Sequence, residues 1–426
     1  MMTRLISLAT VLFCALPAVA DDWPQWRGPH RDDISNEKGL LKSWPAKGPR
    51  LVWTYENAGS GYSGPAIVGN RLYTMGTRNG SECVLALDAD TGKELWTTPV
   101  GTIFSETHGN GPRATPTVDG EYLYVMAGES DLVCLEAASG KKVWSKNLKK
   151  DFGGQLMSGW GYCESPLVEG DKVVCTPGGP KGALLALDKK TGKEIWRTTD
   201  LKDKCSYSSI IVADVLGVRQ CIQETANTIV GVSPETGKVL WRYQPTIALR
   251  TAVIPTPIYH DGFVYISAGY GAGCECVKLE RDGGEFKATK VFSNKVMTNH
   301  HGGVVLVDDH LYGYSDTERG WVCQDIKTGN LIWKSTSANK LGKGSETYAD
   351  GHLICYDEAK GTVVLLQANA TGWKEDGRFS LPKESQIRRP DGRFWTHPVI
   401  ANGKLYLRDQ DLIFCFDVKD QIAKAR

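Results

Sequence analysis

The sequence has almost no net charge and no long basic run. Its 50 lysines and arginines are nearly balanced by 49 aspartates and glutamates, which leaves a formal charge of +1 at pH 7. Proteins that bind nucleic acid or an anionic membrane surface neutralise phosphates with clustered Lys and Arg side chains. The charge pattern therefore gives no support for either kind of partner.

The sequence also lacks an apolar run long enough to span a membrane as a helix. Its N-terminal apolar stretch, residues 5–16, follows Arg4 and precedes the small residues Ala18-Val-Ala20. A bilayer needs about 20 apolar residues, whereas a positive charge, a short apolar region and a small-residue cleavage site are typical of a secretion signal. We expect residues 1–20 to be a signal peptide, cleaved near Ala20, and the mature protein to be periplasmic or secreted.

One pattern of eleven residues recurs along the chain. It reads as the end of one strand, a turn closing on Thr-Gly or Ser-Gly, and a second strand that ends in Trp. Glycine is expected in this turn because the chain there needs a positive φ that a Cβ opposes. A tryptophan at fixed register predicts packing against the neighbouring module. The five clear copies are Ala86–Trp96, Cys134–Trp144, Ala186–Trp196, Gly231–Trp241 and Cys323–Trp333.

The spacing of these copies indicates the architecture. Their closing tryptophans are 48, 52, 45 and 92 residues apart, and the last interval corresponds to two repeats. A degenerate copy is therefore expected between Trp241 and Trp333, and we place it at residues 278–284 with a closing strand near Phe292. Short strands that repeat every 40 to 50 residues predict a β-propeller.

Eight segments begin a module, which predicts eight blades. Each has a small residue, often followed by Pro, ahead of an apolar strand, and they begin near Gly64, Thr115, Ser165, Ser208, Thr256, Gly303, Ser345 and His397. The last module has only three strands, and the isolated strand Leu51–Tyr55 supplies the fourth. Sharing one blade between the two ends of the propeller closes the ring and removes an open sheet edge. The predicted class is all-β, with an eight-bladed β-propeller over residues 50–420 and a short tail at 421–426.

Residues 21–49 form a leader without strand alternation. The segment is rich in Trp and Pro, and proline interrupts sheets. Burying one indole contributes up to about 5 kcal/mol, at ~25 cal/mol per Å² over roughly 200 Å². We therefore expect Trp23, Trp26 and Trp44 to be buried in an ordered cap that lies across the propeller.

The 12 cysteines do not form the pattern of a disulfide framework. Several occupy strand positions that alanine holds in other repeats, as Cys134 does for Ala86, which predicts small buried side chains. The one pairing that the order of the modules suggests is Cys163 with Cys205, because both lie at the starts of adjacent modules.

The repeat resembles that of the pyrroloquinoline quinone (PQQ)-like family. The family consensus Ala-Leu-Asp-x-x-Thr-Gly-Lys-x-x-Trp is met most fully at residues 86–96 and 186–196. The leader, which opens with Trp23-Pro-Gln-Trp, resembles the start of secreted PQQ-like proteins of planctomycete-type bacteria. The resemblance implies one of two branches: periplasmic quinoprotein dehydrogenases, or non-catalytic scaffolds such as the outer-membrane protein assembly lipoprotein.

The features that the dehydrogenase branch implies are missing from the sequence. That branch stacks PQQ on a disulfide between adjacent cysteines, whereas this chain has only Cys274-Glu-Cys276. No motif marks the carboxylate and amide oxygens that Ca²⁺ needs, and no Cys-x-x-Cys-His marks a covalent haem. We therefore expect no cofactor and no metal site, with PQQ and Ca²⁺ as the alternative.

The mouth of the central channel is where a binding site is expected. In this architecture the first strand of each blade lines the channel, and the residues just before it form the mouth. Aromatic side chains there alternate with charged ones and with three of the eight histidines, a mixture that suits a polar, partly planar or glycan-like ligand. The candidate binding residues are Tyr62, Arg113, Trp160, Glu164, Tyr207, Arg250, His300, His301, Glu346, Trp395 and His397.

Two further expectations concern this ring of residues. Polar side chains are normal in a wet channel, and Arg113 could pair with Glu164 of the next blade without any ligand. His300 and His301 would point to opposite faces of a strand, which argues against a shared metal ion unless the backbone is irregular.

These observations together predict a monomeric propeller that acts by binding. The expected role is an interaction scaffold or ligand-binding module, with a protein partner or a polar, glycan-like small ligand. The alternative is an enzyme at the mouth, either a divergent quinoprotein-type oxidoreductase or a polysaccharide-active protein.

Overall fold

A computed structural model describes residues 22–249 and 252–420 of the chain. The expected signal peptide at 1–20 and the tail at 421–426 lie outside the described residues. Eight antiparallel sheets follow one another along the described part and form the blades of a closed ring. The prediction of an eight-bladed all-β propeller is confirmed.

In blades 1 to 7 the strands run from the channel outwards in chain order, and in blade 8 the outermost strand comes from the start of the propeller. Those of blades 1 to 4 are Ala66–Val68, Arg71–Arg78, Ser81–Asp88 and Glu94–Thr102; Thr117–Asp119, Tyr122–Met126, Asp131–Glu136 and Lys142–Asn147; Leu167–Glu169, Lys172–Cys175, Leu185–Asp188 and Glu194–Arg197; Ile211–Val215, Val218–Glu224, Ile229–Val232 and Val239–Tyr243. Those of blades 5 to 8 are Ile258–His260, Phe263–Ala268, Gly273–Asp282 and Glu285–Asn294; Val305–Val307, His310–Ser315, Gly320–Asp325 and Leu331–Lys334; Gly344–Ala349, His352–Asp357, Thr362–Gln367 and Glu375–Ser380; Val399–Ala401, Lys404–Asp409, Leu412–Asp417 and Arg50–Tyr55.

Little of the described chain is helical. A short α-helix, Leu148–Phe152, follows blade 2, and a 3₁₀ turn, Ser337–Asn339, follows blade 6. Within the described ranges no helix combines the length and the hydropathy that crossing a bilayer would take.

Blade 8 closes the ring as predicted. Its outermost strand, Arg50–Tyr55, pairs antiparallel with Leu412–Asp417, so strands from the two ends of the propeller share one sheet. The degenerate repeat is also where the spacing placed it, since Cys276 lies opposite Phe292 in blade 5.

Most repeat tryptophans join their blade to the next one, whereas Trp241 donates from its indole to Gln220 of its own blade. The indole Nε1 of Trp144 donates a hydrogen bond to the carbonyl oxygen of Lys189, 3.0 Å away in blade 3. Its ring lies against Gly192, where the backbone has a φ of +68° and an added Cβ would come within 2.9 Å of the indole. The turn therefore requires glycine for two reasons: the backbone has a positive φ, and the indole ring lies too close for a Cβ. The same arrangement joins Trp53 to Gly92, Trp96 to Gly140 and Trp196 to Gly237.

The first part of the leader lies inside the channel. Trp23 exchanges two 2.8 Å backbone hydrogen bonds with Ile67 of blade 1, and Ile34–Ser35 pairs in parallel with Tyr348–Ala349 of blade 7. Residues 22–35 thus enter from the face opposite the mouth, turn within the channel and leave along blade 7. The later part of the leader packs Trp44 against Phe379 of blade 7, with the ring centroids 5.4 Å apart.

Two buried arginines fix this segment to the channel wall. Arg27 pairs with Asp33 of the same segment at 2.7 Å and donates to the carbonyl oxygen of Val304, 2.6 Å away. Arg31 donates to the carbonyl oxygens of Ser165 at 3.1 Å and Ile210 at 2.9 Å. Both arginines are almost completely buried. The leader is therefore a plug that contacts blades on several sides of the ring.

The eleven cysteines of the described residues are all free thiols. The pairing of Cys163 with Cys205 is therefore wrong. Cys205 is buried and donates from its thiol to the carbonyl oxygen of Ser206, whereas Cys163 is half-buried at the channel mouth. The interpretation of these cysteines as small core residues agrees with the burial of the other ten.

Candidate functional site

A cavity of about 440 Å³ opens at the channel mouth, on the side where the innermost strands begin. Eight of the eleven candidate residues line it: Tyr62, Arg113, Trp160, Tyr207, His300, His301, Trp395 and His397. These side chains come from blades 1, 2, 3, 4, 6 and 8, so the position of a residue within its repeat brings it to the same opening.

The other three candidates do not line this cavity. Glu164 is fully buried and its carboxylate accepts from the backbone N–H and the hydroxyl of Thr176 at 2.7 and 3.0 Å. Glu346 is fully buried in the strand of blade 7 beside the plug. Arg250 lies outside the described residues. Side chains alternate along extended backbone, so Cys163 faces the cavity whereas its neighbour Glu164 faces away.

An unbroken arc of aromatic rings forms one wall of the cavity. The ring centroids of Tyr270 and His300 are 4.4 Å apart, and those of His300 and His301 are 3.8 Å apart with the rings stacked. The arc continues from His301 to Trp395 at 4.8 Å and from Trp395 to Tyr62 at 5.1 Å. Trp160 and Tyr207 form a second pair, at 5.8 Å.

The two adjacent histidines share one face because their backbone is not a strand. Residues 300–302 form bends, and a Cβ on Gly302 would overlap the carbonyl oxygen of Gly344. Adjacent residues of a strand would face opposite ways, so this irregular backbone is what allows His300 and His301 to face the same cavity. In the described part of the chain no three His, Cys, Asp or Glu side chains are grouped to hold a metal ion.

Both histidines are uncharged at neutral pH. Burial lowers the pKa of His300 to about 4, and the ammonium of Lys343, 3.0 Å from its Nδ1, acts in the same direction. Burial likewise places the pKa of His301 well below 6.5, helped by His300. The wall therefore presents neutral imidazoles, whose ring nitrogens can donate or accept hydrogen bonds.

Arg113 pairs with Glu106, and not with Glu164. Its guanidinium lies 2.9 Å from Glu106 and donates to the carbonyl oxygens of Gly109 and Gly111. Burial opposes ionisation of Glu106, but hydrogen bonds from His108 and the charge of Arg113 hold the pKa of this carboxyl below its usual range. The pair is therefore charged and internally compensated.

Glu358 is a further acidic residue of the wall, which Asp391 also lines. It accepts from the indole Nε1 of Trp395 at 3.0 Å, and its carboxylate lies 3.8 Å from the Nδ1 of His301. Burial raises the pKa of Glu358, with the nearby Lys343 acting in the opposite direction. The carboxyl thus fixes the orientation of Trp395, the ring that joins His301 to Tyr62 in the arc.

The leader supplies the floor of the cavity. Trp26 lines it, donates from Nε1 to the hydroxyl of Thr256 at 3.1 Å, and lies with its ring centroid 4.6 Å from that of His397. His397 in turn contacts Asp33 of the plug, with Nδ1 3.2 Å from the carboxylate. The plug therefore belongs to the site.

Apart from Trp26, six lining residues lie in segments that the comparison of module starts did not cover: Glu106, His108, Tyr270, Glu358, Asp391 and Arg393. All six belong to loops that join blades or join the second and third strands of a blade. Such loops have no fixed register in the repeat, so only their aromatic and charged composition could have indicated them.

A match to a known protein family shows which group of propellers this chain belongs to. A family model described as outer membrane protein assembly factor BamB matches residues 80–335, more than half of the chain. The chain belongs to the PQQ-like β-propeller family. A relative in this family, the outer membrane protein assembly factor BamB of Burkholderia pseudomallei, is 25% identical over 241 residues, which is 53% of this chain and 58% of that protein. The chain spans 20 to 58% of the length of three curated relatives that it matches.

Solved structures of both branches share the fold. BamB from Moraxella catarrhalis superposes with a TM-score of 0.60 at 16% identity, covering 87% of this chain and 97% of that one. The quinohemoprotein alcohol dehydrogenase from Comamonas testosteroni gives a TM-score of 0.63 at 13% identity, covering 94% and 81%. At such identities the likeness shows the propeller and does not choose between the branches.

Proposed function

We propose that this protein is a periplasmic or secreted propeller that acts by binding, and that its mouth cavity takes a polar ligand with flat apolar faces, such as a sugar ring. The observation that carries the proposal is the arc from Tyr270 to Tyr62 above the floor at Trp26. Aromatic platforms combined with a few hydrogen-bonding groups are what a small-molecule site requires.

The charges around the arc favour an uncharged ligand. Arg113 is compensated by Glu106, Lys343 lies 3.0 Å from Asp316, and the lining also includes the cation Arg393 and the carboxylate Asp391, which balance in sign. The imidazoles add donors and acceptors without charge. A sugar ring, which has hydroxyls at its edge and C–H groups on its faces, matches such a surface.

The residues present do not suit a calcium-bound quinone. Ca²⁺ takes six to eight oxygen ligands, but the carboxylates of Glu106 and Glu358 are held by Arg113 and Trp395. No third carboxylate joins them in a metal-binding group within the described ranges. The proposal therefore includes no step through PQQ.

A protein-interaction scaffold is the second candidate, and family membership favours it. The propeller rim also has exposed aliphatic side chains in the outermost strands, next to or near the repeat tryptophan. They include Leu51, Leu95, Val143, Ile195 and Leu331, each 38 to 44% exposed. Such a repeated apolar edge suits contact with another protein of the envelope.

Isothermal titration calorimetry with neutral oligosaccharides tests the leading proposal. The panel contains β-1,4-linked glucose, xylose, mannose and N-acetylglucosamine oligomers, each as monomer, dimer and tetramer. We expect at least one of these families to bind, and Trp395→Ala to weaken binding about tenfold or more, as loss of a central aromatic contact does. The control is Trp373→Ala, an indole between the third and fourth strands of blade 7, on the face opposite the mouth.

Two outcomes would contradict the proposal. One is a complete panel without binding, and the other is a Trp395→Ala protein that binds as the wild type does. Dye-linked alcohol or sugar oxidation after addition of PQQ and Ca²⁺, abolished in His300→Ala, would favour the enzyme alternative instead.

A further inference from the structure

Tyr270 is an aromatic side chain that is exposed to solvent at the rim of the cavity. It is 52% exposed, the highest value among the exposed large apolar side chains of the described residues. It belongs to the loop between the second and third strands of blade 5, on the mouth face. Its hydroxyl has no hydrogen-bond partner among the described residues. Neither burial nor hydrogen bonding explains why a tyrosine is there.

The backbone of Tyr270 makes this choice of residue more unusual. Its φ is +54°, in the left-handed region that L-residues other than Gly, Asn and Asp seldom adopt. Four other blades have a non-glycine residue with positive φ in the same loop, and all four are polar: Asn79, Ser130, Arg319 and Gln410. The fold therefore does not require an aromatic residue at this position. A strained residue that the fold does not require points to a role in function.

The loop is held firmly where it meets the cavity wall. A Cβ on Gly269 would lie 2.9 Å from the ring of His300, so the backbone packs directly against the arc. The Tyr270 ring meets His300 edge to face with the centroids 4.4 Å apart. One end of the arc thus lies at the rim of the cavity, half exposed to solvent, and its position is fixed.

We propose that Tyr270 binds a second ring of the ligand at the rim of the cavity, so that the site takes a neutral oligosaccharide of two or more units and not a single sugar. This inference rests on the proposed function of the mouth cavity. One sugar unit occupies the cavity above Trp26, and the next leaves the mouth across the face of Tyr270. The compensated charges of Arg113 and Lys343 give the reason for a neutral chain.

The test compares Tyr270→Gly with a matched control, Arg319→Gly. Arg319 has the same φ of +54° in the equivalent loop of blade 6 and is exposed, but it does not line the cavity. Both substitutions relieve a left-handed backbone, so both should raise the melting temperature. Only Tyr270→Gly should weaken binding of the tetramer that the wild type prefers, by about tenfold, and it should weaken binding of the tetramer more than binding of the monomer.

Each result decides a separate question. If the wild type binds an oligosaccharide, Trp395→Ala abolishes binding and Tyr270→Gly binds as the wild type does, the inference is overturned and the proposed function stands. A fall in melting temperature for Tyr270→Gly but not for Arg319→Gly would show that the ring is structural, which also overturns the inference. If no oligosaccharide binds the wild type, the proposed function fails, and the inference fails with it.

Discussion

Replacing Arg31 by Met should loosen the plug and destabilise the whole ring. The guanidinium is 3% exposed and donates to the carbonyl oxygens of Ser165, Pro166 and Ile210, which belong to blades 3 and 4. Methionine keeps much of the side-chain volume but donates nothing, so buried carbonyl oxygens lose a charged donor. A lost hydrogen bond to a charged group costs about 1.5 to 3 kcal/mol. Removing the buried charge offsets part of the free energy lost with these hydrogen bonds. We expect the free energy of unfolding to fall by about 3 kcal/mol in total.

The corresponding change in melting temperature follows from the size of the domain. At about 2.1 cal/mol/K for each residue and roughly 400 residues, the entropy of unfolding is ~0.8 kcal/mol/K, so the midpoint should fall by about 4 °C. The loss of stability in Arg31→Met should be larger above pH 8. Burial raises the pKa of nearby Glu164 to about 8, and above that value its carboxylate would be charged without the cation of Arg31.

Calorimetry together with hydrogen exchange of the leader measures this effect. Amides of Trp23 and Tyr348 should exchange faster in Arg31→Met, because their hydrogen bonds to the carbonyl oxygens of Ile67 and Asp33 exist only while the plug is in place. Arg50→Met is the control, since its side chain is 70% exposed and its ion pair with Asp417 is worth at most about 1 kcal/mol. Equal midpoints and equal exchange in the two variants would refute the view that the leader is an integral part of the fold.

Two further predictions concern the blades. Gly192→Ala should destabilise the protein by about 2 to 4 kcal/mol, because it adds overpacking against Trp144 to the strain of a positive φ. Gly170→Ala, with a φ of +60° and open space around its Cβ, should cost only about 1 to 2 kcal/mol, and equal losses in denaturant titrations would contradict the stacking argument. Glu164→Gln should flatten the pH dependence of stability. Burial raises the folded pKa of Glu164 from 4.5 to about 8, so the unfolded chain ionises first and wild-type stability falls as the pH rises through this window. An unchanged slope between pH 5 and 8 would show that Glu164 titrates normally.

The fold could be predicted from the sequence because its determinants are local and repeated. The Thr-Gly turn, the small residue opposite each tryptophan and the eight module starts all depend on neighbours within one blade or the next. Closure followed from counting strands, since Leu51–Tyr55 had no other partner. Even the degenerate copy ending at Phe292 kept the spacing.

The site could be predicted only in part. The repeat register places a residue near the mouth, but the rotation of each strand decides whether the side chain enters the cavity or faces another blade. Glu164 and Glu346 are buried for that reason. Trp26 and Tyr270 lie outside the repeat pattern, and their places depend on how the leader and a glycine-rich loop fold against the finished ring.

The closing strand has a kinetic consequence. Arg50 bonds to Asp417 across 367 residues of chain, and Arg27 bonds to Val304 across 277. Contacts so distant in sequence form late, because loop closure comes before any gain from pairing. During synthesis the strand Arg50–Tyr55 must therefore stay unpaired until blade 8 is complete, and the plug gains its contacts to blades 6 and 7 late. An early event of unfolding should reverse this step: when Arg50–Tyr55 separates from blade 8, the ring opens beside the leader that forms the floor of the mouth cavity, while the other seven blades are still folded.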